Sequence, residues 1–141
     1  FSNDTVFVQK ITADGVKETV QCYNTSSVEE QIYRGDLELV KVSDGEQTRL
    51  SDVPFTITSV TTGESHTIVT DKNGYASTSS KWNKHTQNTN RGETSEDGVW
   101  FGSSTPDDSK GALIYDQYVI EEQRCESNKG MSLLKFEVTV L

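Results

Sequence analysis

The stretch Asp36-Leu37-Glu38-Leu39-Val40-Lys41-Val42-Ser43 alternates strictly, and Asp44-Gly45 follows it at once. Leu37, Leu39 and Lys41 share one face of an extended chain, while Val40 and Val42 share the other, because successive side chains of a strand point to opposite sides. Asp-Gly then turns the chain. The same alternation continues on both sides of this segment. Upstream, Asp4 to Ile11 and Val16 to Tyr23 flank Asp14-Gly15, which predicts a β-hairpin over about residues 4 to 23. Asn24 to Ser27 reads as a polar break, and Val28 to Tyr33 as a short strand or a linker. Downstream, Val53 to Val60 and His66 to Thr70 are strands separated by Thr62-Gly63. Asp71-Lys72-Asn73-Gly74 is a turn by composition, and Tyr75 opens the next extended piece. Leu113 to Glu122 and Ser132 to Leu141 complete the set.

No segment carries a helical period over three turns. Short strands punctuated by Gly, Asn and Asp therefore predict an all-β antiparallel sandwich with an N-terminal hairpin extension. One part lacks any period. Residues 76–109 are rich in Ser, Thr, Asn and Gly, with Trp82, Val99, Trp100 and Phe101 standing out. A loop of that length inside a compact domain is commonly functional or disordered.

Composition narrows the chemistry. The chain has 141 residues, 32% of them hydrophobic, and Ser plus Thr make up about a quarter. That suits one thin β-layered core. The formal net charge of −9 argues against a nucleic-acid partner, since phosphate binding needs a basic surface. No apolar run approaches the roughly 20 residues of a membrane-spanning helix. No basic stretch followed by an apolar one opens the chain, and its methionine is Met131, so the sequence reads as a piece of a longer protein.

Cys22 and Cys125 are too few for a disulfide framework or a four-cysteine zinc site. They are either two free thiols or one disulfide. His66 and His85 lack ligand spacing, so no metal and no cofactor is expected. Glu93, Glu96, Asp97, Asp107 and Asp108 form an acidic loop without the order of a calcium loop. No Gly-x-Ser-x-Gly elbow occurs, and no nucleophile, base and orienter can be assembled from the sequence. Arg34-Gly35-Asp36 spells an integrin-type tripeptide but leads straight into a strand, where Gly35 reads as a linker hinge. Trp82, His85 and Trp100 are the candidate ligand contacts of the long loop. The commoner use of such aromatics is to pin a loop onto its scaffold.

Four motifs in order carry a resemblance. They are Leu39-Val40-Lys41-Val42-Ser43-Asp44-Gly45, Leu50-Ser51-Asp52-Val53-Pro54-Phe55-Thr56-Ile57, Thr70-Asp71-Lys72-Asn73-Gly74-Tyr75 and Tyr118-Val119-Ile120-Glu121-Glu122. In this order they resemble the SpaA-like, CnaB-type (prealbumin-like) domains of Gram-positive surface proteins and pilins. The resemblance covers residues 34 to 141 and leaves residues 1 to 33 as an extension or the tail of a preceding module. The segment 77–109 is longer than the family's usual connection.

The resemblance implies a prealbumin-like (Ig-like) sandwich that is no enzyme. It implies a structural or adhesive module of a secreted, cell-wall-attached protein, with other modules of that protein as partners. The alternative is an extracellular module that recognises a glycan or host protein through residues 77–109. The resemblance also implies self-cross-linking, in which a Lys on the first strand forms an isopeptide bond to an Asn or Asp on the last strand, assisted by a Glu from the neighbouring strand. Lys41 and Glu122 match those two positions. No Asn or Asp follows Phe136, so the acceptor is expected beyond residue 141, or else among Asn3, Asp4, Asp14 and Asn24 of the extension.

Overall fold

The computed structural model describes residues 4–11, 17–27, 32–43, 48–87 and 98–141; for residues 4–33 it describes the backbone only. Nine strands occur among them: β1 (Asp4–Ile11), β2 (Lys17–Ser27), β3 (Ile32–Val40), β4 (Pro54–Ser59), β5 (Ser65–Val69), β6 (Tyr75–Ser77), β7 (Leu113–Ile114), β8 (Asp116–Glu122) and β9 (Lys135–Val140). No helix occurs among the described residues. The strands form two antiparallel sheets. One runs β1-β2-β3-β6, with β7 also on β3, and the other runs β5-β4-β8-β9.

The expected hairpin is present as β1 paired with β2, Val8 opposite Val20. Its Asp14-Gly15 turn lies outside the described residues. Two readings need correction. Asn24 to Ser27 is no break, because β2 runs through it and pairs with β3 as far as Ser27 opposite Ile32. Polar composition did not end the strand because β3 supplied a partner edge for its backbone groups. Gly35 is no hinge either. It lies inside β3, opposite Asn24 on β2 and Leu113 on β7.

Alternation decides what each sheet buries. In β4 and β8 every second residue is interior, giving Phe55 and Ile57, then Tyr118, Ile120 and Glu122. In β9, Phe136, Val138 and Val140 are buried while Lys135, Glu137 and Thr139 face solvent. Leu37, Leu39, Ala76 and Leu113 belong to the same core cluster from the other sheet. Fully burying a large apolar side chain is worth about 1.5–3 kcal/mol, so a low apolar content suffices when the pattern aims those residues one way.

The core is completed from outside the sheets. Val99, Trp100 and Phe101 come from the long polar segment and Ala112 from just beyond it, and all four are buried. Phe101 packs edge-on against Tyr118 and against His66. The Tyr118 hydroxyl donates to Ile114 O at 2.7 Å, and burial raises its pKa well above the usual phenol range.

Candidate functional site: a buried lysine–glutamate pair

Lys41 directly follows β3 on the face that buries Leu37 and Leu39. Its backbone is held on both groups: the N–H donates to Gly74 O at 2.7 Å, and the C=O accepts from Leu50 N at 3.1 Å. The turn that provides Gly74 is built by Asp71, whose Oδ1 accepts from the N–H groups of Asn73 and Tyr75. Gly74 has φ +71°, and a Cβ there would stand 2.6 Å from Lys41 O. Only glycine allows this turn to close so tightly on the lysine.

Glu122 ends β8, facing inward two residues beyond Ile120, and pairs with Phe55 of β4. Lys41 Nζ lies 3.3 Å from Glu122 Oε1, with side chains only 4% and 0% exposed. Oε1 also accepts from Leu134 N at 3.1 Å, and Oε2 accepts from Asn128 Nδ2 at 2.8 Å. Lys41, Leu134 and Asn128 all present donors to the carboxylate, which matches an acceptor-only group. A charge buried this deeply is tolerated only when paired and hydrogen-bonded.

Asn128 was not among the candidate residues of the sequence. It lies in the β8–β9 connection and is fully buried. Its Nδ2 also donates to Gln123 O at 2.8 Å, and its Oδ1 accepts from Cys125 N at 2.8 Å. Arg124 reaches the same oxygen at 3.4 Å and donates to Met131 O at 2.7 Å. No local pattern marks a loop asparagine as interior; its position follows from how the connection folds back over Glu122.

Of the N-terminal acceptors weighed from the sequence, Asn24 sits opposite Gly35, and Asp4 opposite Asn24. Gly35 is six residues from Lys41 along the chain, about 20 Å in an extended strand. Asn3 and Asp14 lie outside the described residues. Cys125 is a free, half-buried thiol packed against the core. Cys22 pairs with Val6 and Leu37 in the sheet, and its side chain lies outside the described part.

The aromatic candidates of the long loop do not form one surface. Trp100 is buried, donates from Nε1 to Ser104 O at 2.9 Å, and lies 5.3 Å from the His85 ring. The Arg34 guanidinium stacks 3.8 Å from the centroid of Trp100. Arg34 also donates to Gly111 O, Ala112 O, Phe101 O and Ser104 Oγ. His85 is wedged between Thr78 O at 2.9 Å and Asp107 O at 3.3 Å.

Asp36 Oδ1 accepts from Ala112 N and Thr78 Oγ1, and burial raises its pKa above the usual carboxylate value. The Arg34-Gly35-Asp36 tripeptide is therefore an internal clamp for the loop, with Arg34 only 3% exposed. Gly111 lies flat on it: a Cβ there would stand 2.3 Å from the carbonyl carbon of Gly35.

Trp82 stands apart. It is 53% exposed and meets Tyr75 edge-on at 4.6 Å, and the Tyr75 hydroxyl donates to Glu38. A shallow cleft of about 430 Å³ runs past Ser104, Pro106, Asp107 and Lys110 beside Trp100. Hydrogen bonds from the Ser109 hydroxyl and N–H hold the Asp107 carboxyl below its usual range. Glu93, Glu96 and Asp97 lie outside the described residues. No cluster of three metal-ligating side chains occurs among the described residues, and no helix there is long and apolar enough to cross a membrane.

Compared with protein-family models, curated proteins and solved structures, the chain matches none of them.

Proposed function

We propose that this chain is a structural or adhesive module of a cell-wall-attached bacterial surface protein, of the SpaA-like, CnaB-type kind. It carries load or spacing between neighbouring modules and turns over no substrate. Its chemistry is a single self-modification, an isopeptide bond made by Lys41 with Glu122 as proton carrier. The observation that carries this reading is the Lys41–Glu122 contact at 3.3 Å inside the core of a two-sheet domain. A lysine on a solvated strand edge would leave its ammonium in water. Here the ammonium faces a carboxylate that can take its proton, and a neutral amine is the form that attacks a carbonyl.

Force spectroscopy on tandem copies of the surface polypeptide tests the role. A cross-linked module extends by less than its full contour length, and Lys41→Arg restores the full extension. Equal extension of both proteins would reject the cross-link. Antibody labelling of intact cells tests the location, and the absence of surface signal would reject it.

A second reading rests on Trp82, the exposed aromatic next to Tyr75. A half-exposed indole on a hydrogen-bonded turn can stack on a sugar ring or an apolar side chain of a host protein. Glycan-array binding by the wild-type domain that disappears in Trp82→Ala would favour this reading over a purely structural role.

A further inference from the structure

We propose that Asn128 is the electrophile of the Lys41–Glu122 site, so that the isopeptide bond joins Lys41 Nζ to Asn128 Cγ. The inference rests on the reading of Lys41 as a self-cross-linking nucleophile and assigns its partner within the chain. It departs from the expectation of an acceptor on a strand beyond residue 141.

Three features converge on this carboxamide. First, nucleophile and leaving group share one proton carrier: Glu122 Oε1 faces Lys41 Nζ at 3.3 Å, and Glu122 Oε2 faces Asn128 Nδ2 at 2.8 Å. Second, the Asn128 carbonyl oxygen faces the Cys125 N–H at 2.8 Å and the Arg124 guanidinium at 3.4 Å. Those donors stand where negative charge develops when a nucleophile adds to Cγ. Third, the site is closed to water, since Lys41, Glu122 and Asn128 are each at most 3% exposed. Exclusion of water protects the neutral amine and disfavours hydrolysis of the carboxamide.

The step balances within the site. Glu122 takes one proton from the Lys41 ammonium. The neutral Nζ adds to Cγ, and the negative charge collects on Oδ1 between Cys125 N and Arg124. The Cγ–Nδ2 bond then breaks as Glu122 hands a proton to Nδ2, which leaves as ammonia. Nζ loses a second proton to Glu122 and remains as the amide N–H. No oxidant, metal or cofactor takes part. The product is a covalent tie between the end of β3 and the β8–β9 connection.

Intact mass of the denatured 141-residue chain, followed by fragmentation of its proteolytic peptides, tests the assignment. The wild-type chain should weigh less than its sequence by one ammonia, with a branched peptide joining residues 41 and 128. Lys41→Arg and Glu122→Ala should show the full mass. Asn128→Asp should lose one water in place of one ammonia, a change that a purely structural asparagine would not produce. The wild-type branched peptide alone decides the case if a variant does not fold. A chain at full mass, or a branch from Lys41 to any other residue, overturns Asn128 as acceptor. If a longer form of the polypeptide then shows Lys41 bonded elsewhere, the self-cross-linking reading survives without Asn128. If Lys41 is unmodified there too, both fail.

Discussion

Lys41 shows how one position can be read twice. Its alternation with Leu37 and Leu39 places it on the buried face, yet lysine is among the residues least often found fully buried. The conflict ends at Glu122, which supplies the countercharge. Removing one partner of such a pair leaves the other charge stranded and costs about 3–5 kcal/mol. Lys41→Met should be destabilised in this way by the Glu122 carboxylate left without its partner, and adding Glu122→Gln should raise its stability in urea unfolding by up to about that amount. A double variant no more stable than the single one would show that the stranded carboxylate is not the cause. Asp36 makes a separate pH-dependent contribution. Its folded-state pKa is raised above 3.8, chiefly by burial. Its stabilising contribution is therefore present in full below the unfolded value and declines as pH rises through the folded value. Asn at this position still accepts from Ala112 and Thr78 but carries no charge. The stability of Asp36→Asn relative to wild type should thus increase from acid toward neutral pH, and a difference independent of pH would refute the effect.

Two described parts of the long polar segment differ. Val99, Trp100 and Phe101 are core residues without regular structure, and the half-exposed stretch from there to Ala112 is held by Arg34, Asp36 and His85. From Ser79 to Asn83 the segment is a surface turn, in which the backbone N–H groups of Trp82 and Asn83 both donate to Ser79 O. The two tryptophans should separate accordingly. Trp100→Ala should cost about 3–5 kcal/mol, the range for deleting a buried aromatic ring. Trp82→Ala should cost about 1 kcal/mol or less, since half of the ring is already in water. Equal losses, read by thermal or urea unfolding, would contradict this division. Gly111→Ala should loosen the same element, because the added methyl would collide with the backbone of Gly35, which cannot rotate away as a side chain would. The expected result is faster amide exchange at Leu113 and Ile114, where β7 pairs with β3.

The whole sandwich depends on the N-terminal hairpin to cover an edge. β2 lies against β3 along eight residue pairs, from Val20–Leu39 to Ser27–Ile32. Deleting residues 1–31 would leave one side of β3 with unpaired backbone donors and acceptors, a template for pairing with another chain. Such a deletion should self-associate in size-exclusion chromatography at concentrations where the full chain is monodisperse. A monodisperse deletion would show that β3 needs no cover. β1 and β2 thus belong to the first sheet, beside β3, which begins at Ile32.

Strand content, the shared face of Leu37, Leu39 and Lys41, and the Asp71–Gly74 turn were all legible in the chain itself. They depend on alternation and on backbone conformations that only certain residues adopt, and both are local properties. Lys41 and Glu122 were legible as candidates through the resemblance of their motifs, which match the positions of a cross-linking Lys and its assisting Glu. Asn128 was not, because nothing nearby in sequence separates a buried loop asparagine from a solvated one. Its role appears only when the β8–β9 connection returns over Glu122. Arg34 and Asp36 likewise read only as the lead-in to a strand until Gly111 and Ala112 arrive from more than seventy residues away. Local periodicity settles which way a side chain points; which charges and carbonyls it meets there depends on segments brought together across the fold.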